Sequence, residues 1–243
     1  MKALILAGGQ GKRLQEVIEG HNKCMVDIHG QPVISYSLEC CTRINSDCIF
    51  VIVGYRAEQI AKVYGSYYKH KRITYIYQPH PKGMVDAIEC AKDAIGTDDF
   101  ALFLGDEVLI NPKHENMIYA FYQTSLFGFC GVALTEDISS IRKTYTIHID
   151  DSGAISELVE KPKHPFNNYI GTGNCVFKNA FFKYIDKTPK NIEKDEKLFT
   201  DVIQCAISYG EIVKPFIICD TYYNINARDD FEAAQGFPIS SDR

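Results

Sequence analysis

Short apolar runs rich in β-branched residues recur along the chain, and segments with helical spacing separate the early ones. Runs of this length that are bounded by turn residues predict strands. The predicted strands cover residues 3–7, 48–54, 73–77, 100–105, 129–134, 145–149, 173–177 and 212–218. The predicted helices between the early strands cover residues 32–44, 57–68 and 84–95. Because strand and helix alternate and the first four strands are continuously apolar, we expect a largely parallel sheet covered on both faces.

The second half of the chain has a different pattern. Residues 145–160 read YTIHIDDSGAISELVE, in which an acidic turn with Gly153 separates two extended stretches, so we predict an antiparallel pair of strands. Further helices are predicted at residues 179–189, 197–210 and 229–235. No long polar linker, internal repeat or low-complexity tract interrupts the sequence. We therefore predict a single α/β domain over residues 1–243, with an antiparallel extension and with residues 238–243 loosely held.

The composition limits the classes of partner. The chain has 243 residues, of which 46% are hydrophobic and 23% charged, and this is enough to bury a sizeable core. The net charge is -5 and no apolar run reaches the ~18 residues of a membrane span, so we expect neither nucleic acid nor membrane as a partner. Nine scattered cysteines without a CxxC pair indicate buried reduced thiols in a soluble, cytoplasmic protein rather than a zinc site. Any anionic ligand must then be bound by a local group of positive residues.

A glycine-rich segment directly follows the first predicted strand and reads LAGGQGKRL. Its glycines let backbone N–H groups approach an anion closely, and Arg13 adds a fork of donors suited to phosphate. The spacing matches neither GxGxxG nor GxxxxGK[ST], so the dinucleotide and P-loop motifs do not apply. We interpret the segment as a nucleotide phosphate site, the alternative being an ordinary glycine-rich turn. Besides Arg13, its candidate binding residues are Leu6, Ala7, Gly8, Gly9, Gly11 and Lys12.

This segment resembles the opening signature of the nucleoside-diphosphate-sugar pyrophosphorylases, or sugar-phosphate nucleotidyltransferases, in which LAGGxGxRL follows a strand and a lysine comes later in the chain. Here that lysine is Lys23, flanked by Asn22 and Cys24 where the family usually has prolines. The resemblance extends from residue 2 to about residue 232, and the motif order is most similar to short glucose-1-phosphate thymidylyltransferases. It implies the nucleotide-diphospho-sugar transferase fold, a Rossmann-like three-layer α/β/α arrangement with a mainly parallel, mixed central sheet and a small antiparallel extension.

A second motif, YIYQPHPKGMVDAI, is similar to the family segment in which a glutamine and a glycine contact the base. The matching residues are Gln78 and Gly83. The glutamine amide offers both a donor and an acceptor to a pyrimidine edge, and glycine permits close approach. The alternative is a strand-end turn imposed by Pro79, Pro81 and Gly83, which needs no ligand.

A lone carboxylate, Asp106, ends the apolar strand FALFLG. A buried carboxylate is costly unless it binds a cation, and the equivalent family aspartate holds Mg²⁺, so the resemblance implies a Mg²⁺ site with Gly105 beside it on the substrate side. Glu107 is not expected to be a second direct ligand, because successive strand residues face opposite sides. In the segment YYNINARDD, where many relatives have an aspartate, Asn226 is our first candidate for the second metal ligand and Asn224 the reserve. Both asparagines could instead cap the last helix.

Two further segments are assigned mainly by the resemblance. In ELVEKP, the family uses a glutamate for sugar hydroxyls and a lysine for the sugar phosphate, here Glu160 and Lys161. The alternative for this pair is a surface ion pair before a proline. In YIGTGNCVF, which is similar to the family's sugar-contacting segment, Thr172, Gly173 and Asn174 are the substrate-binding candidates.

The resemblance implies transfer of a nucleotidyl group from an NTP to a phosphorylated small molecule, with a sugar 1-phosphate favoured. A substrate phosphate oxygen would attack the α-phosphorus in line and pyrophosphate would leave. Mg²⁺ would assist, and Arg13, Lys23, Asp106 and Lys161 would be the catalytic residues. Thymidylyl or uridylyl transfer is expected first, with cytidylyl and guanylyl transfer left open.

Two alternative functions and the oligomeric state also stay open. A cytidylyltransferase for a non-sugar phosphate such as phosphocholine is one alternative, because aromatic stretches can bind quaternary ammonium. A non-catalytic paralogue that binds a nucleotide sugar is the other, favoured by Asn22, Cys24 and the missing late aspartate. Assembly into a homo-oligomer is not decided by the sequence.

Overall fold

A mixed eight-stranded sheet forms the centre of the protein, which a computed structural model describes over residues 1–14, 18 and 20–237. From edge to edge its strands are β13 (Val213–Ile217), β9 (Gly128–Leu134), β12 (Tyr169–Phe177), β7 (Phe100–Leu104), β1 (Lys2–Ala7), β4 (Cys48–Val53), β6 (Lys71–Tyr77) and β5 (Tyr67–Tyr68). Strands β7, β1, β4 and β6 are parallel, whereas β12 is antiparallel to both of its neighbours. The predicted mainly parallel, mixed sheet is confirmed.

Three two-stranded antiparallel sheets lie outside the central one. They pair β10 (Tyr145–Ile149) with β11 (Ile155–Glu160), β8 (Glu107–Ile110) with β14 (Thr221–Asn224), and β2 (Asp27–Ile28) with β3 (Gln31–Pro32). The first pair is the hairpin predicted at residues 145–160. Strands β8 and β14 were not predicted, and their pairing brings the segment after β7 next to residues near the end of the chain.

Nine α-helices are described: α1 (Ile34–Arg43), α2 (Ala57–Tyr64), α3 (Gly83–Cys90), α4 (Lys92–Ile95), α5 (His114–Tyr122), α6 (Ile138–Ile141), α7 (Phe181–Lys187), α8 (Phe199–Ser208) and α9 (Arg228–Gln235). The prediction of one helix over residues 57–68 is wrong at its end, because Gly65 has a φ of 57° and the chain then forms β5. The helix predicted over residues 84–95 is two helices, and α5 and α6 were not predicted. The segment 238–243, expected to be loosely held, lies outside the described residues. No helix in the described part of the chain is long and apolar enough to cross a membrane.

Both faces of the central sheet are buried. Strand β1 alternates between them: Leu4 and Leu6 join an apolar cluster that includes residues of α3, α7 and α8, whereas Ala3, Ile5 and Ala7 join one that includes residues of α1 and α2. Since adjacent strand residues point to opposite faces, a continuously apolar strand is what a sheet between two helical layers requires. The expected three-layer α/β/α arrangement is therefore confirmed.

The cysteines contribute to this packing as free thiols. Six of them are buried, namely Cys24, Cys40, Cys41, Cys130, Cys175 and Cys219. Burial raises the pKa of the Cys40 and Cys219 thiols to about 12, so both stay protonated near neutral pH. Protonated buried thiols pack as small hydrophobic groups, as the sequence indicated.

Candidate active site

The predicted functional residues follow the ends of the parallel strands. Gly8 follows β1, Gln78 follows β6 and Gly105 follows β7, and the carboxyl ends of these strands lie at one edge of the sheet. Backbone hydrogen bonds join the neighbouring loops, since Gly105 N donates to Leu6 O (2.9 Å) and Gln78 N donates to Val53 O (2.8 Å). The order of the strands thus brings distant sequence motifs to a common edge.

A cluster of four polar side chains lies at this edge. The Lys23 ammonium forms an ion pair with Asp106 and donates to Asn226 Oδ1 (2.8 Å), and Asn226 Nδ2 donates to Asn224 Oδ1 (2.5 Å). The side chains of Lys23 and Asp106 are only 12% and 14% exposed. The structure therefore brings together the predicted catalytic lysine and all three predicted metal ligands, which come from the beginning, the middle and the end of the chain.

The charge of Lys23 depends on Asp106. Burial alone would lower the pKa of Lys23, but the adjacent carboxylate outweighs burial and leaves this pKa raised. Lys23 is thus a buried cation at neutral pH, with a carboxylate and an amide oxygen as its partners.

Asn22 explains how the loop before Lys23 keeps its shape without the family's prolines. Its side chain is fully buried; Nδ2 donates to Ala7 O (3.3 Å) and Tyr55 O (2.6 Å), and Oδ1 accepts from Cys24 N (2.8 Å). The last bond caps the short 3₁₀ turn Lys23–Met25. The amide therefore ties Lys23 to the end of β1 through hydrogen bonds that proline cannot make.

Cys24, the other departure from the family pattern, packs beneath Gly105. A Cβ added to Gly105 would lie 3.1 Å from Cys24 Sγ and 3.2 Å from Ala7 Cβ. These separations are shorter than ordinary van der Waals contact, so the absence of a side chain at Gly105 lets the turn before Asp106 approach the Lys23 loop.

The glycine-rich segment runs past the same lysine. Gly11 has a φ of 60°, and a Cβ added there would lie 3.0 Å from Lys23 Cβ, so a glycine suits this position for both conformation and space. A Cβ on Gly9 would meet nothing within 4 Å. Lys12 and Arg13 follow in the short 3₁₀ turn Lys12–Leu14, and both are exposed. The segment therefore presents open backbone and two cations beside the cluster.

Gln78 and Gly83, the predicted base-contacting residues, lie close together. Gln78 is 5% exposed, and its Nε2 donates to Asp86 Oδ2 (2.6 Å) and to Gly83 O (3.4 Å). A Cβ added to Gly8 would lie 3.0 Å from Gln78 Oε1, so the amide faces the glycine-rich segment. Gly83 begins α3 with a φ of 91°, and the Glu196 carboxylate packs where its side chain would be.

Glu160 and Lys161 lie at the end of β11 together with a lysine that the sequence analysis missed. Lys194 Nζ is 3.7 Å from Glu160 Oε1, and Lys161 Nζ is 4.0 Å from the same oxygen. Burial raises the pKa of Glu160, although both lysines act to lower it. Lys194 lies in the charged run NIEKDEK, where nothing in the residue pattern distinguishes it from a solvated surface lysine.

Thr172, Gly173 and Asn174 point into the protein interior. Gly173 N and Asn174 Nδ2 donate to the Glu107 carboxylate at 3.1 and 2.6 Å, and Thr172 Oγ1 donates to Gly131 O (2.9 Å). Glu107 and Asn174 line a cavity of about 900 Å³ whose lining does not include Asp106 or Lys23. The side-chain groups of Thr172 and Asn174 and the N–H of Gly173 are therefore hydrogen-bonded to protein partners.

Glu107 itself is a buried carboxyl group that no motif indicated. Burial first, and then the charge of Asp106, raises the pKa of Glu107 to about 8. Its oxygens also accept a hydrogen bond from Tyr222 Oη (2.5 Å). The expectation that Glu107 and Asp106 face different sides agrees with this geometry, because Asp106 contacts Lys23 and Glu107 contacts β12 and β14.

The donor set of the cluster suits a hard divalent cation. Asp106 provides a carboxylate, and Asn226 and Asn224 provide amide oxygens, all of which are ligands that Mg²⁺ accepts. No group of three or more His, Cys, Asp or Glu side chains arranged for a metal is found within residues 1–14, 18 and 20–237. A cation here would rely on one protein carboxylate and on substrate phosphates, which is how Mg²⁺ is commonly held beside nucleotides.

A glycine-rich first turn and a buried lysine–aspartate pair, both at the carboxyl edge of the parallel strands, define an α/β protein with a polar site at the usual ligand-binding edge of its sheet. The chain belongs to the nucleotidyl transferase family, because the model of that family matches residues 2–224. This match confirms the resemblance recognised in the motifs.

Named relatives agree with this assignment. The low-salt glycan biosynthesis nucleotidyltransferase Agl11 of Haloferax volcanii is 31% identical over 220 residues, which cover 90% of this chain and 60% of Agl11. The UTP–glucose-1-phosphate uridylyltransferase AglF of the same organism is 28% identical over 251 residues, covering 97% of this chain and 95% of AglF. The chain therefore spans about three fifths of one relative and nearly all of the other.

The fold has close structural counterparts. A Bacillus anthracis protein described as a glucose-1-phosphate thymidylyltransferase, solved in complex with sucrose, superimposes with a TM-score of 0.86. The two sequences are 21% identical, and the match covers 99% of this chain and 97% of the other. At this identity the likeness supports the fold alone.

Proposed function

We propose that the protein transfers a nucleotidyl group from an NTP to a sugar 1-phosphate and releases pyrophosphate. The observation that carries this proposal is the cluster of Lys23, Asp106 and Asn226 beside the open glycine-rich segment. It combines a cation for phosphate with oxygen ligands for a divalent metal. AglF, which is similar over 97% of this chain, is named a UTP–glucose-1-phosphate uridylyltransferase, and this activity supports the same substrate pair.

Positioning and charge neutralisation would supply the catalysis. An oxygen of the sugar phosphate attacks the α-phosphorus, forming a P–O bond, while the bond to the β-phosphate oxygen breaks and its electron pair leaves with pyrophosphate. A phosphomonoester is already an anion near neutral pH, so the reaction needs no general base. Arg13 would hold the β- and γ-phosphates, and Lys23 would move from Asp106 to the α-phosphoryl group.

When Lys23 moves to the phosphate, the side-chain oxygens that it contacted would become available to a metal ion. Asp106 and Asn226 would hold Mg²⁺, with Asn224 in reserve, and the ion would neutralise charge on the two phosphates that react. Lys161 would bind the incoming phosphate, and Glu160 would accept hydrogen bonds from sugar hydroxyls. The weak contacts of about 4 Å among Glu160, Lys161 and Lys194 leave these groups available for such a ligand.

Pyrophosphate release tests the proposal. The protein is incubated with Mg²⁺, each ribo-NTP or dTTP, and a panel of sugar 1-phosphates that also includes phosphocholine. We expect release with a sugar 1-phosphate, its loss in Asp106→Ala, and its retention in Asp151→Ala, whose aspartate lies in the exposed turn of the β10–β11 hairpin.

Other outcomes would favour other functions. Release only with CTP and phosphocholine would favour the non-sugar cytidylyltransferase. Thermal stabilisation by a nucleotide without turnover across the panel would favour a non-catalytic binder. No stabilisation by any nucleotide would contradict the phosphate site itself.

The free cysteines bear on the cellular compartment of the protein. We infer a reducing, cytoplasmic compartment, because nine free cysteines, six of them buried, suit a protein that has no need of disulfides. We also infer one domain over residues 1–243, since the cluster joins Lys23 to Asn226 across the described chain.

A further inference from the structure

The side-chain amide of Gln78 has a fixed orientation. Its Nε2 lies 2.6 Å from Asp86 Oδ2 and 3.4 Å from Gly83 O. A carboxylate oxygen and a carbonyl oxygen can only accept hydrogen bonds, so the nitrogen must be the atom that faces them. Turning the amide over would place its oxygen against both acceptors, which is repulsive in a buried site.

Gln78 Oε1 consequently faces the glycine-rich segment. This oxygen lies 3.0 Å from the position that a Cβ on Gly8 would take, and Gln78 as a whole is 5% exposed. Among the hydrogen bonds of the described residues, none uses Oε1 as the acceptor. The next residue in the segment, Gly9, borders open space, because a Cβ on it would meet nothing within 4 Å. The site thus presents an acceptor, rather than a donor, to a ligand lying against Gly8 and Gly9.

We propose that Asp86 is a positioning residue that fixes the Gln78 amide with its oxygen toward the glycine-rich segment, and that it thereby selects nucleotides whose pyrimidine carries a ring N–H. Uracil and thymine have a donor at N3, which matches Oε1. Cytosine has a lone pair at N3, which opposes it. This inference rests on the proposed function and narrows its nucleotide to UTP or dTTP.

Asp86 also has a structural role that a test must separate. Asp86 lies in the first turn of α3, whose N-cap residue Lys82 makes no side-chain cap. Its negative charge therefore also stabilises the helix by interacting with the positive end of the helix dipole. Loss of that interaction would lower the free energy of unfolding and would change kcat/KM for every nucleotide by the same factor. Only a change in the ratio between two nucleotides reports the orientation of Gln78.

The experiment compares kcat/KM for UTP and CTP, which share the same ribose, in wild type, Asp86→Asn and Glu89→Gln. Asparagine can donate as well as accept, so in Asp86→Asn the Gln78 amide can turn and present its nitrogen to N3 of cytosine. We expect wild type to favour UTP by roughly tenfold or more, and Asp86→Asn to reduce that preference by roughly tenfold, the effect of one mismatched hydrogen bond. Glu89→Gln removes an exposed charge from the same helix and should leave the ratio unchanged.

The outcomes separate this inference from the proposed function. A preference for CTP in wild type, or an unchanged UTP:CTP ratio in Asp86→Asn despite lower stability, would overturn the inference while leaving nucleotidyl transfer intact. If no nucleotide is turned over, the proposed function fails, and the ratio of the UTP and CTP dissociation constants in the same three proteins tests the inference alone. If neither nucleotide binds, both are overturned.

Discussion

At the scale of single residues, the site depends on groups that serve two partners in turn. Lys23 forms an ion pair with Asp106 and is the proposed cation for the α-phosphate. Gln78 donates to Asp86, and its amide oxygen is the proposed acceptor for a base. An amide that is already oriented lowers the entropy cost of binding at Gln78, whereas Lys23 would have to exchange one partner for another.

Replacing Lys23 by methionine should strengthen metal binding to the nucleotide-free protein while abolishing turnover. The ammonium now occupies the oxygens of Asp106 and Asn226, so its removal leaves them for a divalent ion. We expect roughly a tenfold gain in affinity, a conservative figure for removing a cation in direct contact. Electron paramagnetic resonance of Mn²⁺ measures it, with the exposed Lys62→Met as control. Unchanged or weaker Mn²⁺ binding in Lys23→Met would show that the lysine does not compete with the metal.

The free energy of unfolding should depend on which hydrogen bonds the residue at position 22 can make. Asn22→Ala loses the bonds to Ala7 O, Tyr55 O and Cys24 N, and should lower the free energy of unfolding by about 2 kcal/mol. Asn22→Asp keeps an acceptor for Cys24 N but places a carboxylate against two carbonyl oxygens, so it should be at least as destabilising. Urea denaturation checks both variants against the exposed Asn116→Ala, for which we expect a change within about 0.5 kcal/mol. A milder effect of Asn22→Asp than of Asn22→Ala would contradict the role of the donated bonds.

At the scale of elements, the switch from β7 to β8 builds the metal end of the site. The chain leaves the central sheet after Leu104, turns at residues 105–106, and pairs Glu107 with Asn224 in the small sheet. Ile225 N donates to Asp106 O (2.9 Å), which continues the contact past the strand. Asp106 and Asn226 are neighbours for this reason, although they lie 120 positions apart in the sequence.

Helix α5 packs on the sheet through a buried histidine that should make stability depend on pH. Burial lowers the pKa of His114 to about 4, and its Nε2 lies 2.8 Å from Asn174 Oδ1. The folded-state pKa is below that of an unfolded chain, near 6.5, so stability is fully present above pH 6.5 and is lost as pH falls toward 4. From this group alone the loss should reach about 3 kcal/mol by pH 4.

The histidine's contribution is isolated by substitution. Urea denaturation between pH 7 and pH 4 should show a shallower pH dependence in His114→Gln, which cannot be protonated in this range. His70→Gln, at an exposed position, should retain the wild-type dependence. An equal slope in His114→Gln and wild type would mean that other groups account for the acid sensitivity.

At the scale of the whole molecule, the sequence predicted the central sheet better than the contacts between distant segments. Apolar runs separated by segments with helical spacing predicted the parallel strands. The glycine-rich segment and Asp106 were recognised because glycine clusters and strand-end carboxylates are unusual within a short stretch of sequence. Strands β8 and β14 escaped prediction, since each is only four residues long and their pairing joins residues 107–110 to residues 221–224. The positions of Lys194, Glu107 and Asp86 could not be inferred because each acquires its partner only through tertiary packing.

Because the site draws on residues from Gly8 to Asn226, nucleotide binding should stabilise the whole protein. A ligand that binds only the folded state adds about 2.7 kcal/mol at one hundred times its dissociation constant. UTP with Mg²⁺ should therefore raise the thermal midpoint in proportion to the logarithm of its concentration, whereas Arg13→Ala should require more UTP for the same rise because a phosphate partner is lost. Calorimetric scans over a UTP series measure this, with Arg142→Ala, an exposed arginine at the end of α6, as the control. A concentration dependence identical in Arg13→Ala and wild type would exclude Arg13 from the nucleotide site, while leaving the Lys23–Asp106 cluster to be judged by turnover.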